Sequence, residues 1–224
     1  MTQQRKSKKV LVYFFLLILF GSVNNISLNN IKFEGIKKIN VSGLQDKENE
    51  IFLKNILDLN LENIFLLNKK EILELMNQNT LIDNYIVFKK YPSTLNIKIN
   101  RTNFLAKINK DGKDYIIGSN GKLSNEKFSI NELPYIFGKP EIEDFISFKK
   151  ILDQSKIPYN QIRNLFFFPS KRWDIELKNN VILKLSRDNV EVSLENAFKV
   201  LNDKDFKDAK IIDVRLENKI ITNG

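Results

Sequence analysis

Acid–base and nucleophilic chemistry most often relies on imidazole or thiol groups, and this 224-residue chain contains no histidine and no cysteine. Their absence removes thiol nucleophiles, disulfide frameworks, thiolate zinc sites and the commonest general base together. Carboxylates, serines and lysines remain. The densest acidic group, Glu141, Glu143 and Asp144, follows Pro140 at the expected first turn of a helix, where acids complement the helix dipole. No serine has a visible base partner. Gly118-x-x-Gly121 has the spacing of an RNA-clamping loop, but two turn glycines between β-prone runs account for it. Phe166-Phe167-Phe168 must divide between the two faces of a strand, so the run is expected to serve the core, with an interaction surface on a partly exposed face as the alternative. Trp173 reads as a core anchor. Asp213 and Arg215, two apart in a β-prone run, share a strand face and can form an ion pair. These patterns predict no catalytic residue, no metal site and no cofactor.

The elements that carry these residues are of mixed type. Ile36 to Ser42 reads as a short strand ended by Gly43, and residues 46–58 place Ile51, Phe52, Ile56 and Leu59 near helical spacing. Asn68 followed by Glu71 resembles a capping box for a helix carrying Ile72, Leu73, Leu75 and Met76. Tyr85 to Tyr91 is β-prone, Pro92-Ser93 makes a turn, and Leu95, Ile97 and Ile99 alternate with Asn96, Lys98 and Asn100. The order β-α-α-β-β, ending near Arg101, fits a small sheet with two helices on one face. From Phe104 onward the chain is richer in strands. Pro140 precedes a helix with Phe145, Phe148, Ile151 and Leu152 on one side, Asn179-Asn180 joins two alternating strands, and Ser193 is a candidate cap for a later helix. Ile211–Val214 and Ile220–Thr222 close the chain as strands.

The N-terminus differs in kind. The formal net charge is +9, and Arg5, Lys6, Lys8 and Lys9 supply four of these charges with no acid among residues 1–9. The remaining excess of positive charge is diffuse and does not read as a nucleic-acid groove. Val10 to Val23 is uncharged and almost wholly apolar. Extended to Leu28, it is expected to be an uncleaved transmembrane signal anchor at 10–28, with the basic tail at 1–9 cytoplasmic and the rest outside the membrane. A cleaved signal peptide before a secreted protein is the competing reading.

Val41-x-Gly43, Lys89-Lys90-x-Pro92-x-Thr94-Leu95-x-Ile97-x-Ile99 and Ala106 resemble, in that order, the POTRA domain and following residues of the FtsQ/DivIB cell-division family. Leu133-Pro134-x-Ile136-x-Gly138, Trp173-x-Ile175-x-Leu177 and Ile212-Asp213-Val214-Arg215 resemble later segments of the same family. Arg101, Phe104, Gly118 and Ser186 depart from its pattern, standing where an acid, a proline, an aspartate and a glycine are usual. The resemblance implies an α+β fold with a single N-terminal transmembrane helix, a POTRA-like domain at 31–101 and a mainly β domain at 102–224. It further implies a non-enzymatic, single-pass inner-membrane protein at the division septum that scaffolds the divisome, linking its early and late components. Its partners would be FtsB and FtsL, with Leu216, Glu217, Asn218, Lys219 and Ile220 forming or adjoining the edge that receives FtsB, and its action would help control septal peptidoglycan synthesis. A POTRA-type periplasmic chaperone or transport-associated protein is the alternative.

Overall fold

The computed structural model describes residues 3–23, 35–59, 61, 64–65, 67–125, 132–216 and 219–223. In the first domain, β1 (Lys38–Ser42), α2 (Asp46–Leu57), α3 (Lys69–Gln78), β2 (Ile82–Lys90) and β3 (Thr94–Arg101) follow the expected order. Strand β3 lies in the centre of a three-stranded sheet, parallel to β1 and antiparallel to β2. Its period of two sends Leu95, Ile97 and Ile99 to a face covered by Phe52 and Ile56 of α2 and by Ile72 and Met76 of α3. Gly43, at φ +109°, ends β1 where an added Cβ would lie 1.8 Å from the Ile99 carbonyl oxygen, so only glycine lets the chain cross β3 there. The Asn68 side chain caps α3 by accepting from the Lys70 N–H. Glu71 binds the Asn68 amide group rather than its backbone, so the expected capping box is only half formed.

The second domain is one nine-stranded mixed sheet in the order β12-β11-β10-β9-β8-β7-β4-β5-β6. Its strands are β4 (Phe104–Lys110), β5 (Lys113–Gly118), β6 (Leu123–Ser124), β7 (Tyr135–Phe137), β8 (Ile162–Phe167), β9 (Trp173–Leu177), β10 (Ile182–Leu185), β11 (Ile211–Leu216) and β12 (Lys219–Asn223). Helices α4 (Ile142–Gln154) and α5 (Val190–Leu201) contribute Phe145, Phe148, Leu152, Leu194, Ala197 and Val200 to the core. Ile136, Leu165, Ile175, Leu183 and Ile212 enter the same core from the sheet. Trp173 stacks on Phe148 at 4.6 Å between ring centroids, with the planes 4° apart, which fulfils its expected role as an anchor.

Two expectations fail. Helix α1 (Gln3–Val23) is 21 residues long, yet among the described residues no helix is long and apolar enough to cross a membrane. Arg5, Lys6, Lys8 and Lys9 occupy its first turns. The apolar stretch that follows reaches only about 21 Å, against a hydrocarbon core of ~30 Å. The supposed continuation to Leu28 lies outside the described residues. The transmembrane helix is therefore withdrawn from the fold. Ser193 also does not cap a helix. Helix α5 begins at Val190 after Asn189, which buries Ser193 within it. There its hydroxyl accepts from the Ser186 N–H and donates to the Val214 carbonyl, joining α5 to β11.

Candidate partner-binding edge

Strand β12 is the last strand of the sheet and pairs with β11 alone, leaving its other side open among the described residues. The register runs Ile211↔Asn223, Ile212↔Thr222 and Asp213↔Ile221, then shifts so that Leu216 pairs with Lys219. Val214 and Arg215 thus stand opposite the single residue Ile220, which is a β-bulge. The bulge turns Leu216 to the face of Asp213 and Ile221. Asp213, Arg215, Leu216, Lys219 and Ile221 together line a shallow depression of about 310 Å³. Leu216, Ile220 and Ile221 are 59, 44 and 47% exposed, an apolar content that an unpaired strand edge ordinarily avoids.

Asp213 holds the bulge. One of its oxygens accepts from the Arg215 backbone N–H at 3.2 Å, and its carboxylate receives Arg215 Nε at 2.8 and 3.0 Å and Nη2 at 2.6 Å. The arginine fork lowers the Asp213 pKa despite partial burial, and Asp213 in turn raises that of Arg215. Two strands away, Asp174 accepts from Arg172 at 3.1 and 3.2 Å and from the Leu185 N–H at 3.3 Å. Burial pushes its pKa up, and Arg172 offsets only part of that. Lys184 is the register partner of both aspartates, so acid, base and acid alternate across the sheet face that the helices leave open.

Of the five edge residues expected from sequence, Leu216 ends β11 and Lys219 and Ile220 open β12, while Glu217 and Asn218 lie outside the described residues. Ile221 was missed, although its place in an alternating strand beside Ile220 could have signalled it. Lys184 and the bulge had no local signal, since both depend on pairing between distant strands. The remaining candidates fall to structural positions. Glu141 is the N-cap of α4, with Glu143 and Asp144 in its first turn. Phe166 stacks on Phe137 at 5.2 Å on the open face, Phe167 packs on Trp173 at 4.8 Å in the core, and the Arg172 guanidinium lies 4.2 Å from the centre of the Phe168 ring. No group of acidic side chains that could hold a metal occurs among the described residues.

The Gly118–Gly121 turn joins the two domains. Asn120 donates to the carbonyls of Thr80 and Ile82 at 3.0 and 2.9 Å, and Lys122 Nζ to those of Asn77 and Asn79 at 2.8 and 3.0 Å. An ammonium at the C-terminal end of α3 satisfies carbonyls that the helix leaves open. Three departures from the family pattern also take part in packing. Arg101 makes a fork to Glu48 of α2 at 3.0 and 2.9 Å and lies 5.0 Å from the centre of the Phe104 ring. At Gly118 an added Cβ would approach Asn120 Oδ1 at 2.6 Å and Thr102 Oγ1 at 2.7 Å.

A β-α-α-β-β domain joined to a nine-stranded mixed sheet with an open terminal strand defines an α+β protein of the POTRA-containing class. The family model for the POTRA domain, FtsQ-type, matches residues 35–100, and that for cell division protein FtsQ/DivIB, C-terminal, matches 106–215, ending just before Leu216. The chain belongs to the FtsQ/DivIB family of cell-division proteins. The cell division protein DivIB of Clostridium botulinum (strain Loch Maree / Type A3) is 27% identical over 242 residues, an alignment spanning 96% of this chain and 90% of that protein. The major extracytoplasmic domain of the trans isomer of DivIB from Geobacillus stearothermophilus aligns at a TM-score of 0.34 and 11% identity, covering 46% of this chain and 94% of that one.

Proposed function

We propose that this protein is a non-enzymatic scaffold of the division machinery, acting at the septum by accepting a strand from a partner along β12. The observation that carries the reading is the open β12 edge, with Ile220 and Ile221 exposed on opposite faces beside a bulge held by Asp213 and Arg215. An added strand would satisfy the free backbone groups of β12 while its side chains cover the two isoleucines. Lys219 would favour an acidic residue on the incoming segment and so select among strands, while Arg215 is engaged by Asp213. The partner is FtsB, with FtsL brought in beside it, which would link early and late components of the divisome and help control septal peptidoglycan synthesis.

Successive N–H groups of a strand point to opposite edges. Of Ile220→Pro and Ile221→Pro, one therefore removes a donor from the β11 ladder and the other a donor from the open edge. Capture of purified FtsB is expected to fall with both variants, and with one of them the β11–β12 pairing survives, as read by hydrogen exchange. Full FtsB capture by both folded variants would sink the proposal.

A further inference from the structure

One end of the first domain, opposite the end that Lys122 joins to the second domain, gathers basic and apolar side chains. Strand β3 enters the sheet there at Thr94, which pairs with Lys38 on one side and with Lys90 on the other. Leu95 is buried against the helices, so Thr94 and these two lysines lie on the opposite face. On the helix side of the same end, Lys69 and Lys70 of α3 stand with Lys89 of β2 around a shared hollow. Lys37 precedes β1, its N–H bonded to the Ser93 carbonyl at 2.9 Å. Six lysines therefore surround the end of the sheet instead of lining one side of it. The acids beside them among the described residues are Asp58, which closes α2, Glu71, bound by the Asn68 amide at 2.9 Å, and Glu74, 4.0 Å from Lys70. Among the cations, Phe65 and Tyr91 pack ring to ring at 5.0 Å yet remain 49 and 59% exposed, and Leu57 at the end of α2 is 56% exposed.

We infer that this end docks on an anionic lipid surface, with the lysines among the headgroups and Leu57, Phe65 and Tyr91 reaching the boundary with the acyl chains. A polyanion lying in a groove would meet the cations of one face only, and a small anion would need them to converge on one point. A plane laid across the end reaches the cations of both faces at once. Lysine carries its charge on a long apolar stem, and a tyrosine ring has an apolar body with a polar tip. Both suit a boundary where water gives way to hydrocarbon. Continuity of the chain points the same way. The polypeptide enters β1 at this end, and upstream of it helix α1 leaves residues 10–20, all of them large and apolar, exposed. Contact with the surface requires no helix to cross it. The second domain, reached at the far end of β3, is then held off the surface.

The chain has no cysteine, so Leu57→Cys or Lys178→Cys takes a single environment-sensitive fluorophore. Lys178, exposed in the turn between β9 and β10 of the second domain, serves as the reference position. The full chain is mixed with vesicles of phosphatidylcholine, with or without phosphatidylglycerol. With the anionic lipid present, the label at position 57 should shift to the blue and be quenched by lipids spin-labelled near the headgroup, and the label at 178 should do neither. High salt, or omission of phosphatidylglycerol, should remove most of the response. Lys38→Gln/Lys69→Gln/Lys70→Gln/Lys90→Gln should lose it, and the corresponding Lys→Arg variant should keep it. Tyr91→Ser should reduce the blue shift. Amide protection along β3 checks that each variant is folded. Vesicle binding through α1 alone would leave the label at 57 in water, or leave its response unchanged in the glutamine variant, and either result overturns the inference. So would an equal response with and without phosphatidylglycerol.

Discussion

Replacing Asp213 by asparagine tests whether its carboxylate holds the terminal strand in place. The side chain is 11% exposed and that of Arg215 45%. A hydrogen bond to a charged group contributes about 1.5–3 kcal/mol net when sheltered. The half-exposed arginine is partly solvated in either variant, so the lower part of that range applies, and the loss should be about 1–2 kcal/mol. Asparagine keeps an acceptor for the Arg215 N–H, so the bulge should persist while β12 frays. The pH dependence gives the sharper reading. Because the folded-state pKa of Asp213 is lowered by the Arg215 fork, its contribution is fully present above the ordinary aspartate value and is lost as pH falls through the folded value.

The wild-type advantage over Asp213→Asn should therefore hold at neutral pH and shrink below about pH 4. Trp173, the one tryptophan, reports denaturant unfolding of the second domain, and hydrogen exchange at residues 219–223 reports β12 itself. Asp174 supplies a control of opposite sign. Its folded-state pKa is raised by burial, so the ionised group costs stability at neutral pH and that cost fades as the solution is acidified. The wild-type and Asp174→Asn profiles should diverge with the reverse slope. Parallel pH profiles for wild type and Asp213→Asn would refute the reasoning, because they would mean that the fork does not distinguish the folded from the unfolded carboxylate.

Phe148→Ala should cost about 3–5 kcal/mol, seen as an earlier denaturation midpoint of Trp173 fluorescence, since the ring is 3% exposed and stacked on the indole. Lys122→Met keeps the apolar stem but leaves the carbonyls of Asn77 and Asn79 without their ammonium donor. About 1 kcal/mol should be lost, with faster hydrogen exchange in the last turn of α3. Arg101→Ala should destabilise the first domain by about 1–3 kcal/mol, measured by the loss of its amide protection in denaturant, because Glu48 and Phe104 both lose their contact. Glu48 reports the same pair by titration. Burial pushes its pKa up, Arg101 and the Gln45 N–H more than offset that, and its carboxyl resonance should move towards the ordinary value in Arg101→Ala.

Features that depend on local period were legible in the sequence, and features that depend on distant pairing were not. Leu95, Ile97 and Ile99 alternate within one strand, and Phe145, Phe148 and Leu152 recur at helical spacing, so their burial could be read directly. Asn180, at φ +64°, was recognisable as a turn residue because asparagine tolerates that backbone. The alternation of Asp174, Lys184 and Asp213 arises only when β9, β10 and β11 are aligned, and the three residues are far apart in the chain. Ser193 misled because serine often caps helices, and only the neighbouring β11 carbonyl explains a serine buried inside one. The N-terminal apolar run misled for another reason: its composition suits a membrane better than its length does.

An open edge can pair with almost any strand, so a scaffold that works by edges must limit its own partners. On the proposed β12 edge the limits are a five-residue strand, a bulge and the Lys219 cation. Four hydrogen bonds across the junction between the domains end on the backbone carbonyls of Asn77, Asn79, Thr80 and Ile82, which no side-chain substitution at those positions removes. Side chains exposed along the β12 edge, such as Ile220 and Ile221, can therefore change while the hydrogen bonds joining the domains stay the same. Selection on partner choice at those side chains and selection on the domain junction then act on different atoms, whereas a change at Asp213 or Arg215, which hold the bulge, alters the edge and stability together.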